Sequence, residues 1–98
     1  MSHVTTHVLD TAAGRPAAGI PVRLLAGGEV IADGTTDADG RIAHLGPEYL
    51  DPGDYRLEFE VATPFLPRIV IDFTIADGGH YHVPVLLSPY GFTTYRGS

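Results

Sequence analysis

Along DYRLEFEV, residues 54–61, apolar and polar side chains alternate without a break. Tyr55, Leu57, Phe59 and Val61 fall on one face of an extended chain, and Arg56, Glu58 and Glu60 on the other. Successive side chains of a strand point to opposite faces, so the pattern predicts a strand with one buried and one solvated face. RIVIDFTI, residues 68–75, repeats it with Ile69, Ile71, Phe73 and Ile75. Similar runs rich in Val, Ile, Leu, Phe and Thr predict strands near 3–9, 20–26, 28–34, 40–43, 54–62, 68–75, 80–87 and 91–96. Turn-forming residues separate them: Gly14-Arg15-Pro16, Gly27-Gly28, Asp37-Ala38-Asp39-Gly40, Asp51-Pro52-Gly53 and Asp77-Gly78-Gly79. No stretch sustains a period of about 3.6 residues for long enough to make a helix. Short strands at close spacing predict an all-β two-sheet sandwich.

Two segments depart from the rule that the second face is charged. In residues 80–87, Tyr81, Val83, Val85 and Leu87 form the apolar face, which leaves His80, His82, Pro84 and Leu86 on the other. In residues 3–9, Val4, Thr6 and Val8 are the inward set, and His3, Thr5, His7 and Leu9 face out. An outer face of histidine, threonine and leucine, without Asp, Glu or Arg, is expected to pack against another subunit or to line a pocket. The closing FTTYRGS is expected on a sheet edge, where unpaired backbone groups offer a template for a second chain.

Composition narrows the partners. The 98 residues suffice for a single domain, 1–98. A chain of about this length buries only about 60–70% of its unfolded surface, so oligomerisation is a natural way to add buried area. The formal net charge is −6 and all six cations are arginines. No basic stripe exists for nucleic acid. Apolar runs fall far short of a membrane span, and MSHVTTHVLD lacks the basic and apolar regions of an export signal. There is no cysteine, hence no disulfide and no thiolate metal ligand, which fits the cytoplasm.

Single histidines on strands are most often surface or hydrogen-bonded structural groups, and His44 is read so. His3 is expected to be a mobile side chain near the N-terminus, and His80, beside Gly78-Gly79, to be solvent-exposed at a strand entry. His7 and His82 differ, because both sit mid-strand on the uncharged face. Arg41 follows a D-x-D-G turn and, taken alone, is a solvated cation. Asp37, Asp39 and Gly40 lack the terminal Glu of a calcium loop. His7, His80 and His82 could offer imidazoles to zinc, but no Asp, Glu or Cys is placed to complete the shell, so no metal is expected. On these patterns alone the chain is a small sandwich with a His/Arg patch, and its chemistry stays open.

HVLD at 7–10, GRPAAGIPVRL at 14–24, TDADGRI at 36–42, GDYRLEF at 53–59 and HYHVPVLLSPYGFTTYRGS at 80–98 together resemble the transthyretin-related family over essentially the whole chain. The closing YRGS resembles the family's enzyme branch, the 5-hydroxyisourate hydrolases; the hormone carriers lack that ending. The resemblance implies a transthyretin-like sandwich of about eight strands. It implies a homotetramer, a dimer of dimers, whose outer sheet faces line a channel with sites at the subunit interface. It implies a cytoplasmic enzyme, without metal or other cofactor, that hydrolyses 5-hydroxyisourate to 2-oxo-4-hydroxy-4-carboxy-5-ureidoimidazoline (OHCU) in urate degradation. The family's catalytic residues carry over onto His7, Arg41, His82 and Ser98, and its substrate contacts onto His7, Arg41, His82 and Tyr95. Counting back from the common C-terminus selects His82 over His80. Where the family has a short helix between its fifth and sixth strands, ATPFLPR at 62–68 carries Pro64 and Pro67, so that helix is expected to be missing or reduced. Phe92 and Thr93 stand where tyrosine and serine are commoner.

The implied chemistry is attack of water on a ring lactam carbonyl. Water needs a base near neutral pH, and an imidazole of pKa about 6.5 can serve. The His7/His82 pair is assigned that task, Arg41 the negative charge that develops on the carbonyl oxygen, and Ser98 a hydrogen-bond relay. The rival is a transthyretin-like small-ligand binding protein without catalysis, which would favour an apolar channel over one bearing His7, Arg41 and His82. A purely structural sandwich would be expected to carry an export signal and disulfides. A fused decarboxylase has no residues left to encode it.

Overall fold

The alternating segments fold as two sheets in the computed structural model, which describes residues 2–98. The strands are β1 (Val4–Asp10), β2 (Arg15–Pro16), β3 (Pro21–Ala26), β4 (Glu29–Thr35), β5 (Arg41–Ile42), β6 (Gly53–Phe59), β7 (Ile69–Ile75), β8 (Tyr81–Leu87) and β9 (Phe92–Thr94). One sheet has the order β4-β3-β6-β7; the other runs β2-β1-β8-β9, with β5 also pairing β1. Their inner faces meet in one core, where Val4, Val8, Leu24, Leu57, Phe59 and Val85 are fully buried. The predicted inward sets of β1, β6, β7 and β8 are the ones found. Thr6 is buried among them because its hydroxyl donates to the Val83 carbonyl (2.6 Å), which removes the cost of a bare polar group.

The outer faces differ in kind. On the four-stranded sheet they carry cross-strand ion pairs: Arg23–Glu58, Arg56–Asp72 and Arg68–Glu60, each 2.8 Å. Such exposed pairs contribute about 0–1 kcal/mol each, so they mark a face built for water. On the other sheet β1 and β8 run parallel, with Thr5 beside His82, His7 beside Pro84 and Leu9 beside Leu86. No acidic or basic pair covers that side among the described residues; the one cation that joins it is Arg41, directly across β1–β5 from His7.

The turn that delivers Arg41 explains its spelling. Asp37 accepts the backbone N–H groups of Asp39 (2.9 Å) and Arg41 (3.0 Å), an Asx turn closed by Gly40 N–H to the Asp37 carbonyl (2.9 Å). Gly40 has φ +74°, and a Cβ there would lie 2.3 Å from the Val8 carbonyl oxygen. Only glycine lets this turn press against β1.

Three further details bear on the expectations. Among the described residues there is no helix, and none long and apolar enough to cross a membrane. The connection after β6 is a turn instead, in which the Thr63 hydroxyl accepts from Leu66 N–H (2.7 Å), and Ala62 takes φ +50°. The tail pairs as an edge, but more briefly than 91–96. Val85 lies opposite Thr94, and three residues on in each direction His82 lies opposite Gly97. Pro84 therefore faces Tyr95 without an N–H to offer, and the ladder is interrupted there. Finally, His3 is not mobile. It is 3% exposed, stacked on Tyr49, with Nδ1 accepting from Leu50 N–H (2.8 Å) and Nε2–H donating to the Gly79 carbonyl (2.9 Å). Loops distant in sequence close over it, which nothing local to residues 1–5 foretells.

Gly40→Ala is expected to destabilise the fold by roughly 2–4 kcal/mol through the positive φ and the clash with Val8. For a domain of this size that lowers Tm by roughly 10–20 °C, read by thermal unfolding.

Candidate active site

Pairing across three strands gathers the polar residues of the uncharged face. Arg41 on β5, His7 on β1 and Pro84 on β8 form one row; Thr5 on β1, His82 on β8 and Gly97 of the tail form the next. The His7 and His82 rings lie 6.5 Å apart between centroids. Between the second row and β5 is a hollow of about 360 Å³ lined by Thr5, Arg41, Ala43, His80, His82 and Ser98. Two larger depressions, about 600 and 550 Å³, hold the Arg56–Asp72 pair and the Asp10/Arg15 rim respectively, and no imidazole. Volume alone would favour those; the convergent groups are in the smaller one.

Each imidazole has one nitrogen engaged. His7 Nε2–H donates to the Asp39 carbonyl (2.9 Å), an acceptor only, so Nδ1 is its free lone pair in the neutral ring. His82 Nδ1 meets the Thr5 hydroxyl at 2.8 Å, and the same hydroxyl meets His80 Nε2 at 2.8 Å. Burial pushes the His82 pKa below the ordinary imidazole value, and the neighbouring Arg41, His7 and His80 push the same way. His82 is thus held neutral where a cation already stands. Among the described residues no three His, Cys, Asp or Glu side chains group as a metal ligand set.

The tail reaches this place through two tethers. The Arg96 guanidinium lies 3.9 Å over the Tyr81 ring and donates to the His80 carbonyl (3.2 Å). Gly97 N–H donates to the His82 carbonyl (2.8 Å), and a Cβ on Gly97 would come within 2.7 Å of His82 Cδ2. Arg96 anchors, Gly97 permits the close approach, and Ser98 is left at the hollow.

Of the five residues singled out in the sequence, Arg41, His82 and Ser98 line the hollow and His7 stands beside it. Tyr95 does not join them within one chain. It is 56% exposed and borders a separate apolar hollow of about 170 Å³ with Ile71 and Phe73. Thr5 and His80 were left out of the sequence-based set, and both touch the site. The two-residue spacing of His80 and His82 puts them on one face; what was lacking was the β1–β8 register that brings Thr5 between them.

Known proteins share this arrangement of chain. The profile of the HIUase/Transthyretin family matches residues 4–97. A 5-hydroxyisourate hydrolase of Caulobacter vibrioides is 46% identical over the full length of both chains. The solved structure of Klebsiella pneumoniae 5-hydroxyisourate hydrolase superposes with a TM-score of 0.90 at 40% identity, covering 97% of this chain and 98% of that one. Sea bream transthyretin, solved with thyroxine, is also similar, with a TM-score of 0.86 at 32% identity over 96% and 93%. With the family profile matched over residues 4–97 and a relative 46% identical along the whole of both chains, the chain belongs to the HIUase/Transthyretin family.

Proposed function

We propose that this chain hydrolyses 5-hydroxyisourate to OHCU in urate degradation, and that residues 1–98 act as one hydrolase domain. The observation that carries it is the convergence of His82, Arg41 and Ser98 on one hollow with the His7 ring beside it, in a chain 46% identical to a 5-hydroxyisourate hydrolase. The hollow's size falls in the range of about 300–1,000 Å³ usual for small-molecule sites.

The roles follow from the chemistry of each group. A water held between His7 and His82 loses its proton as it attacks the ring lactam carbonyl. His82, held neutral by burial and by Arg41, remains an available base below the pH at which free imidazole is half protonated. Negative charge then gathers on the carbonyl oxygen and passes to the leaving ring nitrogen, where the forked donors of Arg41 meet it. The Ser98 hydroxyl relays a hydrogen bond at the far side of the ring. None of these steps calls on a metal or other cofactor. A ligand carrier of the transthyretin type would gain nothing from a lone cation and two imidazoles aimed into its cavity.

The uncharged outer face of β1 and β8 packs against its counterparts in a homotetramer, a dimer of dimers, so that hollows meet at the subunit interface. A substrate contact from Tyr95 requires such a neighbour, since within one chain it borders a different hollow. The enzyme works in the cytoplasm, in keeping with a chain that has no cysteine.

The decay of 5-hydroxyisourate absorbance, with and without protein, tests the activity; no acceleration would sink it. His7→Ala and His82→Ala are each expected to lower kcat by about 10²–10⁴ and Arg41→Ala by about 10²–10³, with Tm nearly unchanged. Because a depressed pKa keeps the base unprotonated further into acid, the acidic limb of kcat/KM should fall below about pH 6.5. In the residual activity of Arg41→Ala that limb should move back up only in part, since burial is the larger cause. A native limb at or above pH 6.5 would remove His82 as the base.

A further inference from the structure

A threonine hydroxyl has one proton to donate and two lone pairs. Thr5 Oγ1 lies 2.8 Å from His80 Nε2 and 2.8 Å from His82 Nδ1, so it can donate to one ring only and must accept from the other. Two arrangements are open. If Thr5 donates to His82, then His82 carries its proton on Nε2 and presents no lone pair to the site. If Thr5 donates to His80, then His82 carries its proton on Nδ1, and Nε2 is bare.

The surroundings select the second. Thr5 is buried, with 6% exposure, and both of its contacts come from rings whose planes are inclined by only 17°. The Gly97 main chain lies so close to the Cδ2 edge of the His82 ring, beside Nε2, that an added Cβ would come within 2.7 Å of it, while Nδ1 on the other edge meets the Thr5 hydroxyl. Among the described residues Nε2 has no hydrogen-bond partner and adjoins the hollow. The groups facing His82 are Arg41 from β5, His7 from β1, and His80 from its own strand entry. An imidazolium at His82 would stand among all three. His80, in contrast, is exposed to water, which can solvate a charge there.

We infer, on the hydrolase reading above, that Thr5 and His80 are positioning residues that form a proton relay behind His82. Thr5 holds His82 as the Nδ1–H tautomer, and His80 takes the proton that His82 passes back. In the step, the water O–H bond breaks as its oxygen bonds to the lactam carbon, and the water proton goes to His82 Nε2. His82 Nδ1–H passes its proton to Thr5 Oγ1, and the Thr5 O–H proton goes to His80 Nε2. His82 ends neutral, Thr5 ends as it began, and the positive charge rests on exposed His80. That charge is discharged when the proton returns to the leaving ring nitrogen or to solvent.

The relay is tested on the full chain by nitrogen-15 NMR of the histidine rings together with steady-state kinetics. The native protein should show His82 protonated at Nδ1. Thr5→Val, isosteric but without the hydroxyl, should shift His82 towards Nε2–H and lower kcat about 10- to 100-fold, the usual cost of losing an outer partner that orients an imidazole, with KM little changed. Thr5→Ser should restore both. His80→Gln, whose amide oxygen still accepts from Thr5, should keep the Nδ1–H signature yet lower kcat. Native His82 protonated at Nε2, or Thr5→Val at native kcat, overturns the relay; His80→Gln at native kcat removes His80 from it. If the native protein fails to turn over 5-hydroxyisourate, the functional proposal falls, while the NMR outcome still decides the hydrogen-bond arrangement.

Discussion

The parallel pairing of β1 with β8 is the constraint on which the site depends. It joins residues 77 positions apart, so that Thr5 meets His82 and His7 lies one step further along the same face. Parallel strands are usually buried on both sides. Here the inner side is core, and the outer side holds imidazole, hydroxyl and proline rather than charge. A slip of one residue would turn His82 of β8 into the core and Val83 and Val85 out of it. The apolar set Tyr81, Val83, Val85 and Leu87 therefore does more than stabilise: by burying itself it aims His80 and His82.

The electrostatic layout follows from that aim. All the exposed ion pairs among the described residues lie on the four-stranded sheet, while Arg41 stands on the other sheet beside rings that carry no fixed charge. An Asp or Glu side chain there would neutralise Arg41 and raise the His82 pKa; none lines the hollow. Arg41, exposed and in no ion pair with an Asp or Glu side chain among the described residues, is available to a developing anion, and after burial it is the next largest influence holding the adjacent imidazole in its basic form.

Much of this was legible in the sequence, for reasons that are local. Period-two alternation over 54–61, 68–75 and 80–87 states which side chains are buried, and Pro64 with Pro67 opposes a helix between β6 and β7. The D-x-D-G-R spelling needs no tertiary information, since Asp37 and Gly40 shape their own turn. What stayed hidden depends on register between distant strands or on loop closure. His3 reads as an end residue and is instead locked by Leu50 and Gly79. His80 reads as an exposed strand entry, which it is, but its bond to Thr5 arises only once β1 and β8 are aligned. Tyr95 reads as part of a contiguous tail, yet it lies beyond the last strand and borders a hollow with Ile71 and Phe73, separate from the one that Ser98 lines.

Pro84 carries one more consequence. Its Thr94 partner donates a side-chain hydroxyl to its carbonyl (2.9 Å), but no main-chain rung spans Pro84 and Tyr95 from the proline side. The last strand and the final residues are thus paired to β8 on either side of a gap in the seam. Beyond that gap the tail is held by Gly97 N–H on the His82 carbonyl and by Arg96 on the His80 carbonyl and the Tyr81 ring. Proline in mid-strand, ordinarily a fault in a sheet, here gives the end of the chain fastenings distinct from those of the edge strand.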